Sequence, residues 1–255
     1  MFMNTAIIGL ISVACIFSGV LLGFWLQRLL PNHHLSKESH EIIKLGAGMI
    51  ATLTALVLGL LVSSAKNSFD TVSDGIKESG AKVILLDRIL AQYGPETKDL
   101  RDQLRRRVAG MVELIWSRNR ISAPEMAVFE RSQGLELFQA ELRTMVPKTE
   151  AQTQLLAQAR QLAAGLLETR WQLIEQSQTA LPVTLLAVLI FWLTLLFASF
   201  GLFAPRNATV VAVLFLCACS VSAAIFLVLE MNHPITGMIR VSNAPLTKAL
   251  EHLGR

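Results

Sequence analysis

The densest group of potential metal ligands lies in the stretch PNHHLSKESHE, residues 31–41. Imidazole and carboxylate groups are ligands that zinc and copper accept in proteins. The candidate ligands are His33, His34, Glu38, His40 and Glu41. The same stretch is polar and short, which is typical of an unstructured, solvated connector. The sequence favours the connector, keeps a metal site at His33, His34 and His40 as the alternative, and implies no cofactor.

A run of arginines on one predicted helix could bind a negatively charged partner. It comprises Arg101, Arg105, Arg106 and Arg107. The net charge of +4 would suit nucleic acid, but the run lacks interleaved aromatic residues and a groove-reading helix, so we expect no nucleic-acid partner. Two interpretations remain open. The arginines form a solvated face paired with nearby acids, or they contact inorganic anions or anionic lipid headgroups.

The sequence contains no familiar catalytic pattern. It has no phosphate-binding glycine loop, no Cys-x-x-Cys pair, no nucleophile elbow and no His-Glu-x-x-His. Ser63 and Ser64 have no histidine nearby in the sequence. We therefore expect a protein that is not an enzyme.

The distribution of charge defines the elements that must position these residues. The chain is 53% apolar and 16% charged, and four runs contain no Asp, Glu, Lys or Arg. These runs are residues 5–27, 45–65, 182–203 and 208–229. A helix needs about 20 residues to cross a hydrocarbon core of about 30 Å, and unpaired backbone amides are costly in lipid. The sequence predicts an all-α, polytopic membrane protein with four transmembrane helices.

Four crossings divide the chain into segments on opposite sides of the membrane. Residues 1–65 hold the first helix pair with a short loop at 28–44, and residues 66–181 form a helical segment. Residues 182–229 hold the second pair, and residues 230–255 form a tail. Lysine and arginine near the spans are more numerous on the side of the termini and of residues 66–181. The positive-inside rule then places both termini and residues 66–181 in the cytoplasm.

Residues 66–181 show the spacing of amphipathic helices throughout. The second span continues as a helix with an apolar stripe at Phe69, Val72, Ile76, Val83, Leu86 and Leu90. Tyr93-Gly94-Pro95 should end it, because glycine suits a helix cap and proline cannot continue the ladder. Three further helices are predicted, around Leu100–Ile115, from Pro124 to Pro147, and from about Glu150 through Leu173. The stripes are long for one chain, so we expect subunits to share them.

Three stretches resemble a family of bacterial four-helix membrane proteins described as bestrophin-like. They are LVLGLLVSSAKNSFD at residues 56–70, LLDRILAQYGPETKDLRDQLRR at 85–106 and HPITGMIRVSNAPL at 233–246. The resemblance covers most of residues 45–250. The order of two spans, a cytoplasmic helical segment and two spans is also similar to that of bestrophin anion channels. It implies a homo-oligomer, by analogy a pentamer, in the lipid bilayer of the bacterial inner membrane.

The resemblance also implies a pore neck. Bestrophin pentamers narrow at rings of apolar side chains, and the corresponding positions here are Thr52, Leu56 and Leu60, which share one helix face. Gly59 would let neighbouring helices approach closely at that level. Bestrophin necks are largely aromatic where this chain has leucine. The acidic calcium-binding cluster that follows the fourth span in bestrophins has no counterpart in residues 230–255.

We therefore expect an oligomeric, bestrophin-like ion channel, with inorganic anions as the candidate permeant ions. The alternative is a non-conducting membrane scaffold or sensor whose cytoplasmic helices bind partners. The charge-free runs hold no ionisable residue that a proton- or sodium-coupled transporter would use. A pore lined by apolar rings and hydroxyls needs none, because it can gate by dewetting.

Overall fold

The computed structural model describes residues 2–31, 36–116, 134–178, 183–235 and 237–254. Every regular element in these ranges is helical, as predicted. The helices are α1 (Phe2–Leu29), α2 (Lys37–Tyr93), α3 (Lys98–Trp116), α4 (Leu135–Thr144), α5 (Glu150–Gln178), α6 (Val183–Phe203), α7 (Ala208–Met231) and α8 (Ala244–His252). A single 3₁₀ turn, Pro95–Thr97, joins α2 to α3.

Four of the described helices are long and apolar enough to cross a membrane: α1, α2, α6 and α7. This confirms the predicted number of candidate spans. Their sidedness stays a prediction. The chain divides into two compact units. The apolar unit comprises residues 1–69 and 179–240, and the polar unit comprises residues 70–178 and 241–255.

The apolar unit is organised around α1, which packs against α6 and α7. The backbones of α1 and α6 meet at glycines. A methyl group on Gly23 would overlap the carbonyl oxygen of Ala198, and one on Gly201 would overlap that of Val20. Gly19 makes a third approach of the same kind. Without a hydrophobic driving force in lipid, helices associate through such close van der Waals contact.

The polar unit buries the apolar stripe of α2 within a single chain. Five of its residues are buried: Val72, Ile76, Val83, Leu86 and Leu90. Helix α4 packs on α5, and α8 packs on α3. These five residues are covered without another subunit, and the expectation that subunits share the remaining apolar stripes stays a prediction.

Lys82 ties α2 to α5 in this unit. Its ammonium donates to the Gly165 carbonyl and to the Thr169 hydroxyl, both at 3.0 Å. It also lies 2.9 Å from a carboxylate oxygen of Glu78. Gly165 leaves the room for it, since a Cβ there would lie 3.1 Å from the Lys82 nitrogen.

One helix end lies where the sequence predicts it, and two lie elsewhere. Helix α2 ends at Tyr93, and Gly94 has a φ of 138°, a conformation that favours glycine. Helix α2 begins at Lys37, so the predicted connector is partly helical; the Ser36 hydroxyl caps it by accepting from the Ser39 amide at 3.3 Å. Helix α4 ends at Thr144, before the predicted end at Pro147, because the backbone of Met145 is extended. The predicted start of that helix, at Pro124, lies outside the described residues.

The contact between α1 and α6 predicts a sharp difference between two glycine substitutions. Gly23→Ala should lower the free energy of unfolding by about 1–3 kcal/mol, because its methyl group would push the two backbones apart. Gly46→Ala is the matched control, since a Cβ there meets nothing within 4 Å. It should be neutral or gain up to about 1 kcal/mol of helix propensity. Denaturant titration in detergent, followed by circular dichroism, measures both; equal stability of the two variants would contradict the packing described.

Candidate functional site

The predicted neck residues lie on one exposed face of α2. Leu56 and Leu60 are 62% and 63% exposed in the single chain. Thr52 is also exposed, and its hydroxyl donates to the Gly48 carbonyl at 3.0 Å, within the same helix. With 100° of rotation per residue, Leu45 and Met49 fall on the same face. They are exposed as well, so one chain leaves an unbroken stripe of uncovered side chains along this part of α2.

The other face of α2 belongs to the core of the apolar unit. Leu61 and Ala65 are buried there, and Val57 and Leu58 pack against the same cluster. All of these side chains are apolar, as are Leu56 and Leu60. The structure therefore separates two faces that hydropathy alone does not distinguish.

Gly59 lies beside the exposed stripe. A Cβ on Gly59 would meet no atom within 4 Å, so it makes no close helix contact inside one chain. The close approaches within the chain are made by Gly19, Gly23 and Gly201 instead. A packing role for Gly59 would require a helix from another subunit, and it stays a prediction.

The predicted arginine cluster on α3 separates into two kinds of residue. Arg101 forms a two-point ion pair with Asp87, its Nε and Nη2 donating at 2.8 and 3.0 Å. Asp87 is only 1% exposed and also accepts from the Gly254 amide at 3.3 Å. The hydrogen bond with Asp87 raises the pKa of Arg101 above its ordinary value. Arg101 therefore joins α3, α2 and the chain after α8.

Arg107 is also engaged with the protein. It donates to the Gly134 carbonyl at 2.8 Å and to the side chain of Gln103 at 2.9 Å, and its guanidinium lies over the Phe138 ring. Arg105 and Arg106 are exposed. These two are the members of the cluster that present their charge to solvent.

The potential metal ligands are not brought together in the described part of the chain. His33 and His34 lie outside it. The His40 ring lies edge-on to the Phe203 ring, with centroids 4.3 Å apart. Among the described residues, no group of three or more histidines, cysteines or acids has the arrangement of a metal site.

Glu230 is a polar residue that the sequence reasoning missed. It was expected to open a tail, but it lies in the last turn of α7 and is 1% exposed. One carboxylate oxygen accepts from the Thr5 hydroxyl at 2.7 Å, and the other accepts from the Met238 amide. A Cβ on Gly237 would lie 3.0 Å from that second oxygen. No sequence pattern identifies these partners, because Thr5 is 225 positions away and Met238 follows eight positions later.

Comparison with known proteins places this geometry in context. The sequence profile of a bestrophin-like domain matches residues 14–246. No curated protein matches the chain. Among solved structures, the fold is similar to that of a mutant bacterial bestrophin homolog from Klebsiella pneumoniae, with a TM-score of 0.60 and 16% identity. The match covers 93% of this chain and 97% of that one. At 16% sequence identity, the similarity of the two structures establishes that they share a fold.

The bonds of Glu230 predict how the segment after α7 responds to substitution. Glu230→Ala removes the carboxylate that accepts from the Met238 amide and the Thr5 hydroxyl, and the loss of the Met238 bond costs about 1–3 kcal/mol. Trypsin should then cleave faster after the exposed Arg240. Glu230→Gln is the matched control, because its carbonyl can still accept from Met238 and its amide can donate to Thr5. It should be cleaved at the wild-type rate, and equally fast cleavage of both variants would contradict a hydrogen-bonding role.

Proposed function

The chain belongs to the bestrophin-like family, and on that premise we propose that it is an oligomeric membrane channel for small inorganic anions. The proposed neck is formed by Thr52, Leu56 and Leu60 of each subunit. The observation that carries the proposal is the uncovered stripe on α2, where Leu56 and Leu60 are 62% and 63% exposed. The shared fold with a bacterial bestrophin homolog supports it.

Closure of several chains around one axis would turn this stripe into stacked rings. Thr52, Leu56 and Leu60 are separated by four residues each, or about 6 Å along the helix axis. None of these side chains carries a charge. A narrow path lined in this way excludes water and holds ions back until it widens and wets. The resting state we propose is therefore nearly closed.

The proposed arrangement in the membrane follows the charge pattern. Both termini and residues 66–181 would lie in the cytoplasm of a bacterial cell, with the spans in its inner membrane. The subunits would be identical, and five is the number the family resemblance implies. Arg105 and Arg106, both exposed, would raise the local concentration of anions on the cytoplasmic side.

The neck predicts that smaller side chains increase ion flow. In Leu56→Ala/Leu60→Ala the rings widen and wet more easily, so chloride flux into vesicles should rise above that of the wild type. The matched control is Leu21→Ala/Leu22→Ala, which removes the same atoms from α1 at positions that are 52% and 51% exposed. That variant should leave flux unchanged.

Light scattering on the same preparations checks the assembly. If the neck leucines only pack subunits together, their truncation should break the oligomer and abolish flux. An intact oligomer with unchanged flux would contradict the neck and favour a non-conducting scaffold or sensor. A monomeric wild type would contradict both the assembly and the pore.

The topology gives a separate prediction. A reporter enzyme that is active only outside the cytoplasm should be inactive when it is fused after Arg255. The same reporter inserted within residues 32–35 should be active, because that segment is proposed to lie on the opposite side. Activity at Arg255 would reverse the orientation without affecting the fold.

A further inference from the structure

A groove in the apolar unit runs between α2, α6 and α7. Its volume is about 590 Å³, within the range of about 300–1,000 Å³ that ligand pockets occupy. Small residues form the wall on α2: Ala47, Gly48 and Ala51. Phe200 and Phe203 of α6 form part of the facing wall. The groove is therefore a long apolar surface with space for a slender apolar group.

The length of the groove along α2 is about equal to the thickness of one leaflet of a bilayer. It extends along α2 from His40 to Ala51, which at about 1.5 Å per residue is about 16 Å. Half of the hydrocarbon core is about 15 Å. One end of the groove carries Lys44 and His40, and the other end is apolar. An occupant that matches it is polar at one end and apolar over the length of a leaflet.

The polar end of the groove is positively charged. Lys44 is exposed, and no carboxylate of the described residues lies within ion-pair distance of its ammonium. Arg206 follows the lining residue Ala204 by two positions. Its guanidinium is held in place by the Gln27 side chain at 2.8 Å and the Phe24 carbonyl at 2.9 Å. The partner that complements this end is an anion.

Ala47 and Ala51 of the groove wall lie on the face of α2 opposite Leu56 and Leu60, whereas Gly48 lines the groove from the side next to the stripe. With 100° per residue, Ala47 and Ala51 are about 180° from Leu56 and Leu60. Subunits that meet through Leu56 and Leu60 would therefore leave the wall at Ala47 and Ala51 facing away from their contact.

We propose that the groove binds one acyl chain of an anionic phospholipid, whose phosphate accepts a charge-assisted hydrogen bond from Lys44. The acyl chain lies between the small residues of α2 and the phenylalanines of α6. Because lipid tails are as apolar as these side chains, the acyl chain alone gives little preference over bulk lipid. The headgroup contact supplies the selectivity.

Native mass spectrometry of delipidated protein, titrated with phosphatidylglycerol or phosphatidylcholine, tests the proposal. The wild type should retain one phosphatidylglycerol per chain in preference to phosphatidylcholine. Lys44→Gln should weaken phosphatidylglycerol binding about fivefold, the contribution of one basic residue to attraction for anionic lipid. Lys37→Gln is the matched control, because it removes an exposed charge near the start of α2 that does not line the groove. It should bind as the wild type does.

Two outcomes of the titration would overturn the proposal. Equal retention of the two lipids would show that no anionic headgroup is selected. Equal losses in Lys44→Gln and Lys37→Gln would show diffuse attraction in place of a site.

Labelling the wild type locates the lipid without any substitution. Phosphatidylglycerol with a photoactivatable group on its acyl chain should crosslink to residues 196–203 of α6, and adducts confined to other helices would contradict the groove.

Ala47→Leu should reduce the retention of phosphatidylglycerol, because the larger side chain fills the groove. Unchanged retention in that variant would overturn the proposal. A loss of oligomer with unchanged retention would assign the groove to a second copy.

Discussion

The close contact between α1 and α6 holds the centre of the apolar unit together. Gly23 and Gly201 allow each backbone to reach the carbonyl groups of the other helix, an approach that no larger residue permits. Leu189, Leu193 and Phe197 of α6 then line a core into which α2 places Leu61 and Ala65. This face of α2 packs on the core, while the face with Leu56 and Leu60 stays uncovered in the single chain.

Some of the fold could be predicted from the sequence because local physics determines it. The four charge-free runs are long enough to cross a bilayer, and the described part of each lies within a long helix. Tyr93-Gly94-Pro95 ends α2 where predicted, since the positive φ of Gly94 and the proline ring act within a few residues. The apolar stripe of α2 from Val72 to Leu90 could be predicted because polar residues surround it. The sequence does not show that one chain buries this stripe, because its burial depends on where α5 and the other helices lie in the fold.

The candidate site could be predicted less well for a related reason. Within residues 45–65 almost every residue is apolar, so the pattern does not say whether Leu56 or Leu61 faces the core. The family resemblance supplied Thr52, Leu56 and Leu60, and the structure adds that they are exposed. The pairing of Arg101 with Asp87 links residues 14 positions apart on different helices. Spacing on α3 alone suggested acids near the arginines and did not identify this one.

Glu230 bears on the choice among functional classes. An acid in a membrane helix is a functional candidate when it faces a water-filled path, as in ion-coupled transporters. Glu230 is instead 1% exposed, and both of its carboxylate oxygens are occupied by Thr5 and Met238. Its bonds join the N-terminal part of α1 to the segment after α7, so its role in the single chain is to hold that segment. The uncovered face of α2 between Leu45 and Leu60 carries no ionisable side chain. A path along that face would have to be controlled by its width and wetting, which is the physics of a channel neck and not of a proton-coupled carrier.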